Sequence, residues 1–86
     1  MNVNKIKPME IQMEYKMKHK MHNKLRQIRV DKKITQIVLA RKLGVNRSYI
    51  SKVENNTRRL TLTGFLNYCK ALDEDPVKLI KTVFKF

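Results

Sequence analysis

A single cysteine, Cys69, stands in the 86 residues, so no disulfide framework and no cysteine zinc site can be built within one chain. A buried thiol in a reducing compartment is the expected state. Glycine and proline occur only twice each, so sharp bends have few sites. Pro8 and Pro76 are suited to open helices, and Gly44 to close one. No run approaches the length of a membrane span, and the N-terminal lysines lack an apolar stretch of signal-peptide length. A soluble, cytoplasmic protein is expected. No convincing strand alternation appears, because the β-looking run from Ile34 to Leu39 is short and interrupted. The chain reads as all helix. No nucleophile–base pair, carboxylate dyad or phosphate loop is visible, so an enzyme is not expected, nor a cofactor or small-molecule substrate.

Acids are the other scarcity. Asp and Glu number 7 against 20 Lys and Arg, for a formal charge of +13. Such an excess points to a polyanionic partner: DNA, RNA or an anionic membrane surface. The length suits one small domain with a modest core.

The spacing of apolar residues predicts a series of short helices. Asn23 or Lys24 opens one that runs to about Val30, with Leu25 and Ile28 apolar. Thr35 is the expected N-cap of the next, with Gln36 at its first position. Leu39, Ala40 and Leu43 form its apolar face, Gly44 its left-handed C-cap, and Val45 a buried plug after it. Asn46 is expected to cap a helix whose core residues are Ile50 and Val53. Asn55–Arg59 reads as a loop. Thr61 or Thr63 opens a helix through Phe65, Leu66, Cys69 and Leu72. Asp75 caps the last, with Val77, Ile80, Val83 and Phe84 apolar.

Ala40, Gly44, Ile50 and Val53 together form a motif. Two helices crossing steeply need a small residue at the contact, and the tight turn between them needs a left-handed one. The second helix must face the first through Ile50 and Val53. This is a helix-turn-helix pattern. At about 100° per residue, Arg47, Ser48, Ser51 and Lys52 then point away from the core, with Tyr49 on the flank. A major groove admits one α-helix and offers acceptors on guanine and adenine. Arg47 sits at the helix N-terminus, where side chains reach base edges in this geometry.

The stretch TQIVLARKLGVNRSYISKVENNTRR resembles the lambda-repressor/Cro-like, or Xre, family over about Lys24 to Ile80. RSYIS followed by VENNTRRLTL is similar to the controller proteins of restriction–modification systems. The resemblance implies a five-helix, lambda-repressor-like DNA-binding and dimerisation domain over residues 23–86, behind a basic extension, residues 1–22. It also implies roles: Arg47, Ser48 and Lys52 facing bases, and Tyr49 touching the backbone or a central base. Gln36, Asn55, Thr57 and Arg58 would hold phosphates; Arg59 suits a phosphate ligand or a solvated loop charge. Arg29 and Glu54 match a family pair that ties the first helix to the end of the recognition helix.

There are departures. Ile37 and Val38 stand where the family has polar residues, so the capping-box glutamate is missing and a cover for these two is expected. Asn56 replaces the family glycine and tolerates the same left-handed turn. In the extension, Met9, Met13, Met17 and Met21 recur every fourth residue and lead into Leu25. Either one helix runs from Met9 to Val30, its stripe covering Ile37 and Val38 or pairing two subunits, or the segment is a frayed basic arm whose Lys16, Lys18 and Lys20 seek phosphate. His19 and His22, three apart among lysines, make a poor metal site.

The leading expectation is a homodimeric, sequence-specific regulator of double-stranded DNA, either a controller or a phage or plasmid repressor. Its interface is expected at Val77, Ile80, Val83, Phe84 and Phe86. The alternative is an antitoxin with a protein partner. A basic amphipathic membrane-surface protein is a third, but it leaves the helix-turn-helix unexplained.

Overall fold

The computed structural model describes residues 8–85, with side chains from residue 19 onward. Those residues form five helices: α1 Pro8–Asp31, α2 Gln36–Leu43, α3 Arg47–Glu54, α4 Leu62–Ala71 and α5 Pro76–Phe84. Among the described residues there is no strand.

The helix ends follow local chemistry. Thr35 is extended and its hydroxyl accepts from the Val38 N–H at 3.1 Å, opening α2. Gly44 closes α2 at φ 67°, where its N–H and that of Val45 cap the carbonyls of Arg41 and Ala40. Thr61 caps α4 by accepting from Gly64 at 3.0 Å. Asp75 caps α5 by accepting from Val77 at 2.9 Å, and Pro76 follows in the first turn, where its missing N–H costs nothing. Asn46 takes the N-cap conformation before α3, but its side chain makes no capping hydrogen bond. Its expected role is thus half met: the backbone turns, and the amide stays outward.

The extension is helical from Pro8 onward. α1 runs without interruption through residues 22 and 23 as one 24-residue helix. Met21 ends the methionine series inside the core, at 8% exposure, one turn before the fully buried Leu25. The side chains of Met9, Met13, Met17, Lys16 and Lys18 lie outside the described residues, so the stripe's expected cover is not placed. Ile37 and Val38 are exposed at 51% and 40%.

Leu25 and Ile28 of α1 meet Leu39 and Ala40 of α2, Ile50 and Val53 of α3, Phe65, Tyr68, Cys69 and Leu72 around α4, and Leu79 of α5 in one core. Two sequence expectations are corrected here. Val45 is no buried plug but lies at the surface, because the Gly44 turn carries it outward. Leu66 is likewise exposed, and Tyr68, two residues on and so about 200° further round the helix, takes the interior instead, fully buried. Leu79 is the anchor of α5, the only residue of that helix buried outright. Val77 stands out from it, and Ile80, Val83 and Phe84 are partly covered by the core.

Candidate nucleic-acid interface

α2, the Gly44 turn and α3 form the outward-facing unit. Ile50 and Val53 are fully buried and Ala40 nearly so, which fixes the rotation of α3 about its axis. The opposite side of α3 is therefore exposed, and it carries Arg47, Ser48 and Lys52, with Ser51 half-buried. Between Lys32 and Leu72 the only acid is Glu54, and it is buried. Nothing acidic on this face opposes a polyanion.

Tyr49 lies on the flank, half-buried. Its hydroxyl approaches the first turn of α4 at Gly64, where an added Cβ would come within 3.3 Å of the phenol oxygen and 3.2 Å of the Thr61 hydroxyl. Gly64 is what lets α4 start this close to α3. Over the other side of the Tyr49 ring lies the guanidinium of Arg58. Val45, Asn46, Ser48, Tyr49, Lys52 and Arg58 line a shallow open groove of about 330 Å³ along this face.

The loop after α3 is ordered by its own polar groups. The carboxamide oxygen of Asn55 accepts from the Thr57 N–H at 3.1 Å and its hydroxyl at 2.6 Å. The N–H groups of Thr57 and Arg58 both donate to the Lys52 carbonyl, at 2.9 and 3.0 Å. Asn56 adopts φ 66°, the left-handed turn that its side chain tolerates. From α1, Nδ1 of the buried His22 donates to Oδ1 of Asn56 at 3.0 Å. His22, read from sequence as a weak metal candidate, thus holds the loop. Among the described residues no three His, Cys, Asp or Glu side chains gather as a metal site. Arg58 and Arg59 are exposed.

Beneath the face lies a polar chain. Arg29 donates from Nε to Glu54 Oε2 at 2.6 Å, from Nη2 to Glu54 Oε1 at 3.0 Å, and from Nη1 to the Ile34 carbonyl at 2.6 Å. Glu54 Oε1 also accepts from Nε2 of Gln36 at 3.0 Å, and Gln36 Oε1 accepts from Nη1 of Arg47 at 3.1 Å. The structure therefore brings Arg29, Glu54, Gln36 and Arg47 together. It places Asn55, Thr57, Arg58 and Arg59 beside them on the loop, and Val77, Ile80, Val83 and Phe84 apart on α5; Phe86 lies outside the described residues.

Below these groups, burial pushes the Tyr68 phenol far above its usual range, and the nearby Glu54 carboxylate adds to the shift. Burial likewise raises the Cys69 thiol to about 11, with Glu74 and Asp75 contributing. A thiol so placed stays protonated at neutral pH and is unreactive.

A helix-turn-helix family model (HTH_3) matches residues 25–79. Among solved structures, the chain is similar to an XRE-family like protein from Pseudomonas syringae pv. tomato, at 28% identity and a TM-score of 0.87, covering 92% of this chain and 96% of that one. It is similar to the restriction–modification controller protein C.AhdI from Aeromonas hydrophila at 35% identity and TM-score 0.67, covering 72% and 94%. The controller protein C.Esp1396I matches at 32% and TM-score 0.74, covering 80% and 90%, and has also been solved as a tetramer with its natural 35 base-pair operator. No curated protein matches the sequence significantly.

Proposed function

The chain belongs to the helix-turn-helix family of XRE-type DNA-binding regulators, and from that premise we propose that it is a homodimeric, sequence-specific regulator of the restriction–modification controller kind. Residues 23–86 carry DNA binding and dimerisation, and residues 1–22 form a basic extension, of which residues 8–22 belong to α1. The observation that carries the reading is the rotation of α3. Ile50 and Val53 are both at 0% exposure, so Arg47, Ser48 and Lys52 must face outward together at a surface free of acids.

In this reading α3 enters a major groove, and Arg47 at its N-terminus reads a base, guanine by geometry. Ser48 and Lys52 face neighbouring bases, and Tyr49 supports them from the flank. Gln36 at the start of α2, and Asn55, Thr57, Arg58 and Arg59 on the loop, follow the phosphates on either side. One short helix spans too few base pairs for useful selectivity, so two copies related by a dyad read a pseudo-palindrome. α5 is the pairing element, with Val77 exposed at 58% and Ile80, Val83 and Phe84 partly so. Among the described residues no helix is long and apolar enough to cross a membrane. The antitoxin reading gains nothing from the similar structures, an XRE-family like protein and restriction–modification controller proteins.

The test is Arg47→Ala, assayed on duplexes that the protein selects from a randomised library. Affinity for the selected duplex should fall by about 1–3 kcal/mol, with preference relaxed at one position per half-site. An equal loss on selected and scrambled DNA reassigns Arg47 to phosphate.

A further inference from the structure

The polar chain from Arg29 to Arg47 has a direction, and the direction is chemically forced. A carboxylate only accepts hydrogen bonds and a guanidinium only donates them, whereas a carboxamide does one at each end. Gln36 stands between Glu54 and Arg47, at 3.0 and 3.1 Å. Its nitrogen must therefore face Glu54 and its oxygen must face Arg47. Glu54 itself cannot turn. Both of its oxygens are held by Arg29, and Arg29 is anchored in turn on the Ile34 carbonyl. The side chains of Arg29 and Glu54 are exposed by only 10% and 4%, so water does not compete for these positions. Arg47, by contrast, is at the surface.

We infer that Glu54, backed by Arg29, is a positioning residue for base reading: through the fixed amide of Gln36 it holds Arg47 aimed before DNA arrives. The inference rests on the reading of Arg47 as the base-contacting side chain. One N–H of Nη1 is occupied by Gln36, which leaves the remaining donors of the fork for a two-pronged contact with a guanine edge. A long, flexible arginine held this way loses less freedom on binding than a free one. The buried ion pair then does more than join α1 to α3. It sets which end of Gln36 meets Arg47, and so whether Arg47 is held or repelled.

Glu54→Gln tests the direction of the chain. Arg29 donates to both oxygens of Glu54, so the new amide nitrogen faces an Arg29 N–H whichever way the group turns. The terminal group is no longer held, and the Gln36 amide that it orients loses its fixed aim on Arg47. Gln36→Lys does the same at a partly exposed site that leaves the buried pair intact: it donates to Glu54 and cannot accept from Arg47. The probe is the duplex best enriched by the wild-type chain from a randomised library, with single-base variants and a scrambled control. Both variants should lose about tenfold of the preference at the base pair that Arg47→Ala relaxes, on the scale of one bidentate contact. Scrambled duplex sets the baseline for any change in backbone contacts, so the ratio of selected to scrambled affinity is what should fall in both variants. In an Arg47→Ala background neither substitution should alter preference at that base pair. A loss that is equal on all duplexes, or that persists without Arg47, overturns the inference and leaves the pair with a structural role alone. If the wild-type chain enriches no sequence, the base-reading assignment of Arg47 itself fails.

Discussion

The guanidinium of Arg58 lies over the ring of Tyr49, 4.9 Å from its centre. One residue belongs to α3 and the other to the loop behind it. The stack therefore ties α3 to the loop that follows it. A cation over an aromatic face at an exposed site contributes about 0.5–1 kcal/mol. Tyr49→Phe should keep it, whereas Tyr49→Ala should release Arg58 and weaken selected and scrambled duplexes alike. Arg58→Ala should do the same and lower the slope of log affinity against log salt by about one unit. Salt titration is the measurement, and an unchanged slope removes Arg58 from the phosphate backbone.

Arg29 and Glu54 should be strongly coupled in the fold. Removing Glu54 leaves the buried Arg29 unpaired, and removing Arg29 leaves the buried Glu54 with only the exposed Arg26, at 3.9 Å, as a cation; either should cost about 3–5 kcal/mol, whereas replacing both with apolar residues of similar volume should cost far less. Urea unfolding of the two single variants and the double variant supplies the cycle. Additive losses would mean that the two side chains act independently.

Dimerisation is best tested at Val77. A truncation after Lys81 would also remove Val83 and Phe84, which pack partly against their own core. Val77 is exposed at 58%, so Val77→Lys should leave the fold intact. Sedimentation should show a monomer at micromolar concentration, with operator affinity sharply reduced. A dimer that survives Val77→Lys moves the interface away from α5, and α1 is then the next candidate.

Cys69 gives a pH signature. Its thiol titrates at 9.0 when exposed and at about 11 in the fold. The folded state thus holds a proton that the unfolded chain releases earlier. The stability from this group is fully present below pH 9 and is lost as pH rises from 9 towards 11, at up to about 1.4 kcal/mol per unit. Urea midpoints of wild type and Cys69→Ala should therefore converge with rising pH over that window. At pH 8 the folded thiol should resist alkylation and become reactive only on unfolding.

Much of the fold was legible because its punctuation is local. Thr35, Gly44, Thr61 and the Asp75–Pro76 pair each act within a few residues, and each ends or starts a helix where the spacing predicts. Ile50 and Val53 were legible because one period links them. The misreadings lie where a side chain's fate depends on a distant element. Tyr68 looks amphipathic in sequence, yet α4 turns it inward while Leu66 turns out. Leu79 was hidden among equally apolar neighbours, and only the docking of α5 selects it. His22 carries no signal of its role, since its partner Asn56 lies 34 residues away. Gln36 was expected at a phosphate; its bond to Glu54 could not be read from spacing, because it joins two helices across the turn.

Scarcity of glycine leaves a mark on the helix ends. Among the described residues, Lys33, Asn56, Asp73 and Lys85 adopt positive φ with a side chain attached, and only Gly44 does so without one. Lysine has no special tolerance for that region, and a Cβ there costs about 1–2 kcal/mol. The fold therefore rests below the ceiling its own topology allows. Such tension sits at two joints, Lys33 and Lys85, because Asn56 and Asp73 tolerate the left-handed region, and both lysines lie at the surface. Stability lost to a substitution elsewhere could be recovered at either joint, with no change to the face that α2 and α3 present.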